Sequence, residues 1–407
     1  MNQTICLNMI VKNEAPIIRD TLENIISYIP ITSYMISDTG STDNTVDVIL
    51  QFFQERGIPG QIRLDHWQNF AYNRNLALIE ATGQSDYVFF FDADDRFVGN
   101  LQLPEELTAD SYNFQFSNQA QTTTYQRPLL VRNDGTFKWR SVVHEFIDSN
   151  KPVLSDFIRG DYNVISGRFG ARSQNPNKYI EDAEMLAAAY YNHPEEDEEL
   201  LPRYAFYAAN SYRDADMPEQ AIEWYKRRIE HKGWIEEIAK SYESMGKCYQ
   251  ALGNKELALN AWLLGYDAHP NRIETLYFAI KQLREDSKYR LAFQLALIAK
   301  DVPCPLNGLF VDKDIYKYGI DYELSICAYY VQHFQLGYES CRDVLFSQPD
   351  YETILITINN LQFYKEFAAN DSIENRQQLI TILARYSQEE APCSNDIIQY
   401  LLDTLNR

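Results

Sequence analysis

Three carboxylates within four positions, Asp92, Asp94 and Asp95, follow directly on the apolar run Tyr87-Val88-Phe89-Phe90-Phe91. Charges so close repel one another, so a divalent cation, a basic side chain or water must offset them. Oxygen ligands of this kind select hard Mg²⁺ or Mn²⁺, typically shared with the phosphates of a substrate. Taken alone, the triplet reads equally well as a solvated acidic turn. Three other apolar runs also end in polar groups. Lys12-Asn13-Glu14 follows the first, Asp38-Thr39-Gly40-Ser41-Thr42 the second and Asp65-His66-Trp67 the third. If these ends meet at one rim, the chemistry there is binding of a metal and a nucleotide.

The elements that must position these groups are legible as a rhythm. The β-prone runs cover residues 4–11, 33–37, 61–64 and 87–91, and amphipathic stretches 16–28, 43–56 and 70–81 lie between them. Strand, helix and strand repeating every ~30 residues predict βαβ units and a parallel sheet. Pro16 suits a helix start, where a missing N–H costs nothing. Ser41-Thr42-Asp43-Asn44 is rich in residues that cap helices. Right-handed crossovers place every strand's C-terminal end on one edge of the sheet, where open α/β sheets bind ligands.

From about residue 177 the pattern changes to helix pairs. Ala221, Ala258 and Ala292 recur at spacings of 37 and 34, close to the ~34-residue tetratricopeptide period. Met245-Gly246 and Tyr249-x-x-Leu252-Gly253 fit the first helix and turn of such a repeat, and further helices follow from residue 350. Stacked pairs form a solenoid whose concave face docks a protein or peptide. Residues 1–180 carry a net charge of −6 and the remainder −15. With the loop-forming GARSQNPN at 170–177, this predicts domains at 1–170 and 171–407.

Composition narrows the function classes. The chain has 407 residues, 45% of them hydrophobic, and a formal charge of −21. That length suits two or three domains. Such acidity argues against a nucleic-acid or anionic-membrane surface. No run approaches the ~20 apolar residues of a membrane span, and the start MNQTICLNMIVKNE lacks a basic region before an apolar one. The cysteines Cys6, Cys248, Cys304, Cys327, Cys341 and Cys393 are scattered. They read as reduced thiols, neither a disulfide framework nor a zinc site. The expected location is cytoplasmic, or peripheral to a membrane.

Five motifs taken together carry a resemblance. They are Leu7-Asn8-Met9-Ile10-Val11-Lys12-Asn13-Glu14, Asp38-Thr39-Gly40-Ser41-Thr42-Asp43-Asn44-Thr45, Asn73-Arg74-Asn75-Leu76-Ala77-Leu78, Asp92-Ala93-Asp94-Asp95 and Val142-Val143-His144-Glu145. In this order and spacing the chain resembles family-2 glycosyltransferases of the GT-A fold that carry a helical-repeat extension. The resemblance spans residues 4–150, and the repeats more loosely. It implies an α/β, Rossmann-like domain with a mostly parallel sheet, followed by an all-α tetratricopeptide-like domain. It also implies inverting transfer of a sugar from a nucleotide-sugar donor, UDP-linked by resemblance, to a hydroxyl of a glycan, lipid-linked or peptide acceptor. The cofactor would be Mn²⁺ or Mg²⁺. Val11, Asn13 and Glu14 would line the nucleotide pocket, and Asp38 would accept hydrogen bonds from base or ribose. Arg74, beside Trp67, would hold base and diphosphate. Asp92 and Ala93 would lie near the ribose, while Asp94 and His144 would hold the metal. Inverting displacement needs a base opposite the leaving group. Glu145 is the leading candidate, with Asp148 and Asp134 behind it. The repeats would dock the acceptor, a protein partner or a second copy of the chain.

Each of these residues also has a plainer reading. His144 can be an ordinary sheet histidine, Trp67 a gap filler, Asp38 with Ser41-Thr42 a helix-capping turn, and Arg74 a surface ion pair. The segment holding Arg172, Ser173 and Lys178 is a linker or a cover over donor phosphates. Two rival functions stand beside the transferase. A phosphohydrolase of the haloacid-dehalogenase type also places an Asp-x-Asp after an apolar strand, but Arg96 stands where it has Thr or Val. A non-catalytic repeat scaffold would not need the intact acidic motifs. A nucleotidyltransferase would want a glycine-rich loop near the first strand, and residues 8–14 hold no glycine.

Overall fold

A computed structural model describes residues 3–117, 124–167, 170–305, 308–386 and 394–405. The chain divides into two compact units, Met1–Leu200 and Leu201–Arg407.

The first unit opens with the anticipated rhythm: β1 (Ile5–Val11), α1 (Ile18–Tyr28), β2 (Ser33–Asp38), α2 (Thr45–Arg56), β3 (Gly60–Leu64), α3 (Phe70–Ala81) and β4 (Tyr87–Phe90). Helix α1 buries Ile18, Leu22 and Ile25, an i, i+4, i+7 stripe facing the sheet. Pro16 lies two residues before that helix, in the turn leading to it. Helix α2 stops at Gly57, whose φ of 64° closes it in the left-handed conformation.

Seven more strands follow: β5 (Arg96–Gln102), β6 (Ser111–Ser117), β7 (Thr124–Arg132), β8 (Phe137–Arg140), β9 (Phe146–Ser149), β10 (Ser155–Phe157) and β11 (Arg159–Ile165); α4 (Lys178–Asn192) ends the unit's regular elements. The main sheet runs β3-β2-β1-β4-β7-β6-β11-β5, with β10 beside β6, and β8 and β9 form a separate hairpin. Strands β3, β2, β1 and β4 are parallel, and the direction reverses at β7. Phe89, Phe91, Phe97, Phe114 and Tyr162 pack with ring centroids 4.9–6.4 Å apart. They cement the parallel half to the later strands. The change of composition at residue 170 marks the switch from β11 to helix, and α4 stays with the first unit.

The second unit is all helical: α5 (Leu201–Asp214), α6 (Pro218–Glu230), α7 (Ile235–Ala251), α8 (Lys255–Ala268), α9 (Glu274–Glu285), α10 (Tyr289–Lys300), α11 (Ile320–Tyr330), α12 (Phe334–Phe346), α13 (Tyr351–Leu361), α14 (Ile373–Tyr386) and α15 (Ser394–Leu405). Ala221, Ala258 and Ala292 occupy α6, α8 and α10 and are completely buried. Only a small side chain fits where two helices press together. Gly246 answers to Trp262, because a Cβ there would overlap the indole, whose Nε1 donates to the Glu243 carbonyl at 3.1 Å. Gly253, at φ 74°, turns α7 into α8. Cys6, Cys248, Cys327 and Cys341 are buried free thiols and Cys304 an exposed one; Cys393 lies outside the described residues. Among the described residues no helix is long and apolar enough to cross a membrane.

Candidate active site

The ends of β1 and β2 are aligned by register, Val11 opposite Asp38, and Asp38 is in turn opposite Leu64 of β3. The loops that leave β1 and β2 are stitched to each other. The Val11 carbonyl accepts from the Thr39 N–H at 2.9 Å. The Asn13 N–H donates to Ser41 Oγ at 2.9 Å, and Asn13 Oδ1 accepts from the Thr42 N–H at 2.7 Å. The Glu14 N–H donates to Thr45 Oγ1 at 2.8 Å. Asn13 adopts φ 57° to make these contacts, a conformation asparagine tolerates better than most residues. Asp38 is 3% exposed. Its Oδ2 accepts from the N–H groups of Gly40 and Ser41 at 3.2 and 3.0 Å, while Oδ1 has no hydrogen-bond partner among the described residues. Capping of the turn therefore uses one oxygen and leaves a buried acceptor open beside it.

Helix α3 explains the Asn73-Arg74-Asn75 triplet. Asn73 is buried and braces the loop before the helix, accepting from the Gln68 N–H and donating to the His66 carbonyl, both at 3.0 Å. That loop carries Trp67, half-buried and edge-on to Phe70 at 4.8 Å. Asn75 bonds both backbone groups of Trp139 at 2.8 Å and so ties the β8–β9 hairpin to the helix. Arg74 between them points into the site. Its Nε donates to Glu145 Oε1 at 2.7 Å, its Nη2 to Asp92 Oδ1 at 2.5 Å, and its guanidinium lies 4.8 Å from the Trp139 ring. Burial opposes the charge on Arg74, but Asp92 and Glu145 outweigh it and keep the guanidinium firmly protonated.

The acidic turn divides its labour. The Ala93 carbonyl accepts from Thr21 Oγ1 at 2.6 Å and the Asp95 N–H donates to the Asp92 carbonyl at 3.2 Å. Burial pushes the Asp92 carboxyl up, yet Arg74 foremost, and Arg127 at 3.9 Å, hold it below the usual range. Asp94 moves the other way, raised by burial and by the charge on Asp92. It forms no ion pair among the described residues; its Oδ2 accepts a long 3.4 Å bond from the Gly170 N–H. A Cβ on Gly170 would stand 3.1 Å from Asp94 Oδ2 and 3.3 Å from Glu14 Oε1, so this glycine keeps a gap between two carboxylates. Asp95, 5% exposed, is raised well above the carboxylate range by burial and by Asp92.

The structure thus brings Val11, Asn13, Glu14 and Asp38 together in one pair of loops, and Arg74, Asp92 and Glu145 in one ion-paired group. Glu14 and Asp94 meet across Gly170. His144 is exposed and sits at φ 53° in the loop before β9. Asp148 faces Arg140, which also pairs with Asp197 and Glu199. Asp134 accepts from the Thr136 N–H at 3.0 Å and pairs with Lys151 at 3.4 Å. Arg172 pairs with Asp182 and lies 4.5 Å from the Phe70 ring, so the segment expected as linker or cover packs beside the Trp67 loop. No three His, Cys, Asp or Glu side chains converge on a metal-sized position among the described residues. Sequence reasoning missed Arg127, one of two arginines on β7, and the packing duty of Asn75.

Residues 6–108 match the profile of Glycosyl transferase family 2. No curated protein sequence matches the chain. Among solved structures it is similar to S. aureus TarS 1–349, at 12% identity over 63% of this chain and 89% of that one, TM-score 0.33. A mannosyltransferase from Pyrobaculum calidifontis, crystallised with GDP-Man and Mn²⁺, matches at 12% identity over 65% and 87%, TM-score 0.33. MamA from Desulfovibrio magneticus RS-1 matches at 13% identity over 50% and 95%, TM-score 0.31. These likenesses are loose and carry no functional weight. The profile match covers the part of the site from β1 through the acidic turn; Arg127, Glu145 and Gly170 lie beyond it. Residues 6–108 thus resemble a family 2 glycosyl transferase domain, set in an α/β unit whose first four strands are parallel, and an all-helical unit follows it in the chain.

Proposed function

We propose that the chain is an inverting glycosyltransferase that moves a hexose from a nucleotide-sugar donor, UDP-linked, to an acceptor hydroxyl with the help of a divalent metal. The observation that carries this reading is the contrast within the acidic turn. Asp92 is matched by arginines, whereas Asp94, in no ion pair among the described residues, keeps a carboxylate for a cation. An all-oxygen set with one or two protein carboxylates suits Mn²⁺ or Mg²⁺, which complete their shells with phosphate and water. Asp94 would hold the ion, with Glu14 across the Gly170 gap and His144 as the further candidate. When bound, the cation neutralises the charge developing on the departing diphosphate.

The chain's own groups supply the rest. The open Asp38 Oδ1 accepts a donor N–H or O–H of base or ribose, in a pocket lined by Val11, Asn13 and Trp67. Arg74 orients Asp92 toward the ribose side, with Ala93 forming the floor. Glu145 is favoured as the base over Asp148 and Asp134. Its Oε1 accepts from Arg74, and its Oε2 makes no hydrogen bond among the described residues. Asp148 and Asp134 use both oxygens, on the Ser149 N–H and Arg140 and on the Thr136 N–H and Lys151 respectively. Transfer is assayed with a panel of UDP- and GDP-sugars and Mn²⁺. Asp94→Asn is expected to abolish turnover with the thermal transition unchanged. Undiminished turnover with normal metal dependence in that variant rejects the site.

A further inference from the structure

The cation on the other side of Asp92 has no settled role in holding the fold. Arg127 is on β7, opposite Phe114 of β6. Its guanidinium stands 3.9 Å from Asp92 Oδ2 and 5.1 Å from the Phe116 ring, with the side chain one-third exposed. It donates no hydrogen bond to any described residue, although a guanidinium carries five N–H donors. Arg74 is the opposite case: enclosed, bonded to two carboxylates and stacked near Trp139. Asp92 therefore has one arginine that fixes it and a second that only approaches it. Beside Arg127 on the same strand face, Tyr125 stacks on Phe116 at 5.3 Å and its hydroxyl meets Ser166 Oγ at 3.4 Å. This aromatic ledge, just before Gly167, supports the arginine at the mouth of the acidic turn.

We propose that Arg127 is a substrate-binding residue that swings from Asp92 to a phosphate oxygen of the donor's diphosphate. The inference rests on the donor-site reading above and assigns a second cationic contact to it. An arginine presents its donors as a planar fork matched to phosphate oxygens. Its approach to Asp92 without a hydrogen bond means that little is surrendered when it turns. Loss of the contact removes charge-assisted hydrogen bonds to the diphosphate while leaving base and ribose contacts in place.

The test is titration of the full chain, in Mn²⁺, with UDP, GDP, uridine and guanosine, for wild type, Arg127→Gln and Arg127→Lys. The expected result is a loss of about ten-fold or more for the bound diphosphate in Arg127→Gln. Arg127→Lys should be intermediate, and the matching nucleoside should bind both variants as it binds wild type, which also reports an intact pocket. Diphosphate affinity unchanged in Arg127→Gln overturns the inference, as does an equal loss for the nucleoside. If neither UDP nor GDP binds the wild-type chain, the donor-site reading itself falls, a different outcome from the first two.

Discussion

Replacing Arg74 by methionine keeps most of the side-chain volume and removes the charge that Asp92 and Glu145 share. The side chains of Arg74 and Glu145 are 6% and 10% exposed and that of Asp92 is 33% exposed. Breaking a buried ion pair by removing one partner costs about 3–5 kcal/mol, because the remaining charge is stranded. Glu145 bears most of that cost. Asp92 can take up water, so its share is discounted, and the low end, about 3 kcal/mol, is expected. For a unit of this size one kcal/mol moves the thermal midpoint by roughly 2–4 °C, so a fall of about 6–12 °C should follow. The assay is a thermal scan of the full chain followed by tryptophan fluorescence, since Trp139 lies beside the altered position. Adding Glu145→Gln to Arg74→Met removes the stranded charge and should restore part of the loss. A fall below about 3 °C, or a double variant no better than the single one, would show that the pair is not coupled as the geometry requires.

Two further outcomes are expected. Gly167 packs on the carbonyl of Asp94, where a Cβ would overlap backbone, so Gly167→Ala should force the acidic turn to shift, cost about 1–3 kcal/mol and weaken Mn²⁺-dependent nucleotide binding. Urea denaturation with parallel titration measures both, and an alanine variant matching wild type in each would refute the packing argument. In the second unit, burial pushes the Glu243 carboxyl up, but Lys240 at 2.8 Å and Lys247 at 2.6 Å hold it below the usual glutamate range. Its unfolded form thus binds a proton at higher pH than the folded one. The stability it contributes is complete above the ordinary glutamate value of about 4.3 and is lost as pH falls through the depressed one. Denaturation of wild type and Glu243→Gln between pH 7 and 3 should show a shallower acid decline in the variant. Parallel slopes would contradict it.

In the parallel half of the sheet the central strands were readable because they are buried on both faces and appear as apolar runs, whereas the edge strand β3 is largely exposed. Strand β1 and strand β4 are both of this kind. The seven later strands carry no comparable apolar run as a group. Strand β5, for example, has only Phe97 buried and includes Gly99 at φ 88°, so no alternation of buried and open positions announces it. The helix pair α11–α12 escaped the alanine spacing because the path to it includes the π-helical turn Ile315–Gly319, which breaks the period. In the site, the motif order pointed to Asp38, Arg74, Asp92 and Asp94, whereas Asn75 read only as a neighbour of Arg74. Its bonds are to Trp139, 64 residues on.

Local sequence alone determined the strand–helix rhythm, the glycine and asparagine turns at the strand ends, and the small residues on which the helices pair. Those features follow from contacts within a few residues or from how much apolar surface a segment must bury. Tertiary structure decided which charges became partners. Arg74 could have met any carboxylate; the docking of the β8–β9 hairpin on α3 set Glu145 on one side of it, and the end of β4 set Asp92 on the other. Asp94, two residues beyond Asp92, forms no ion pair among the described residues and accepts only the long bond from the Gly170 N–H. Electrostatic balance depends on distances between segments far apart in the chain, and the fold sets those distances.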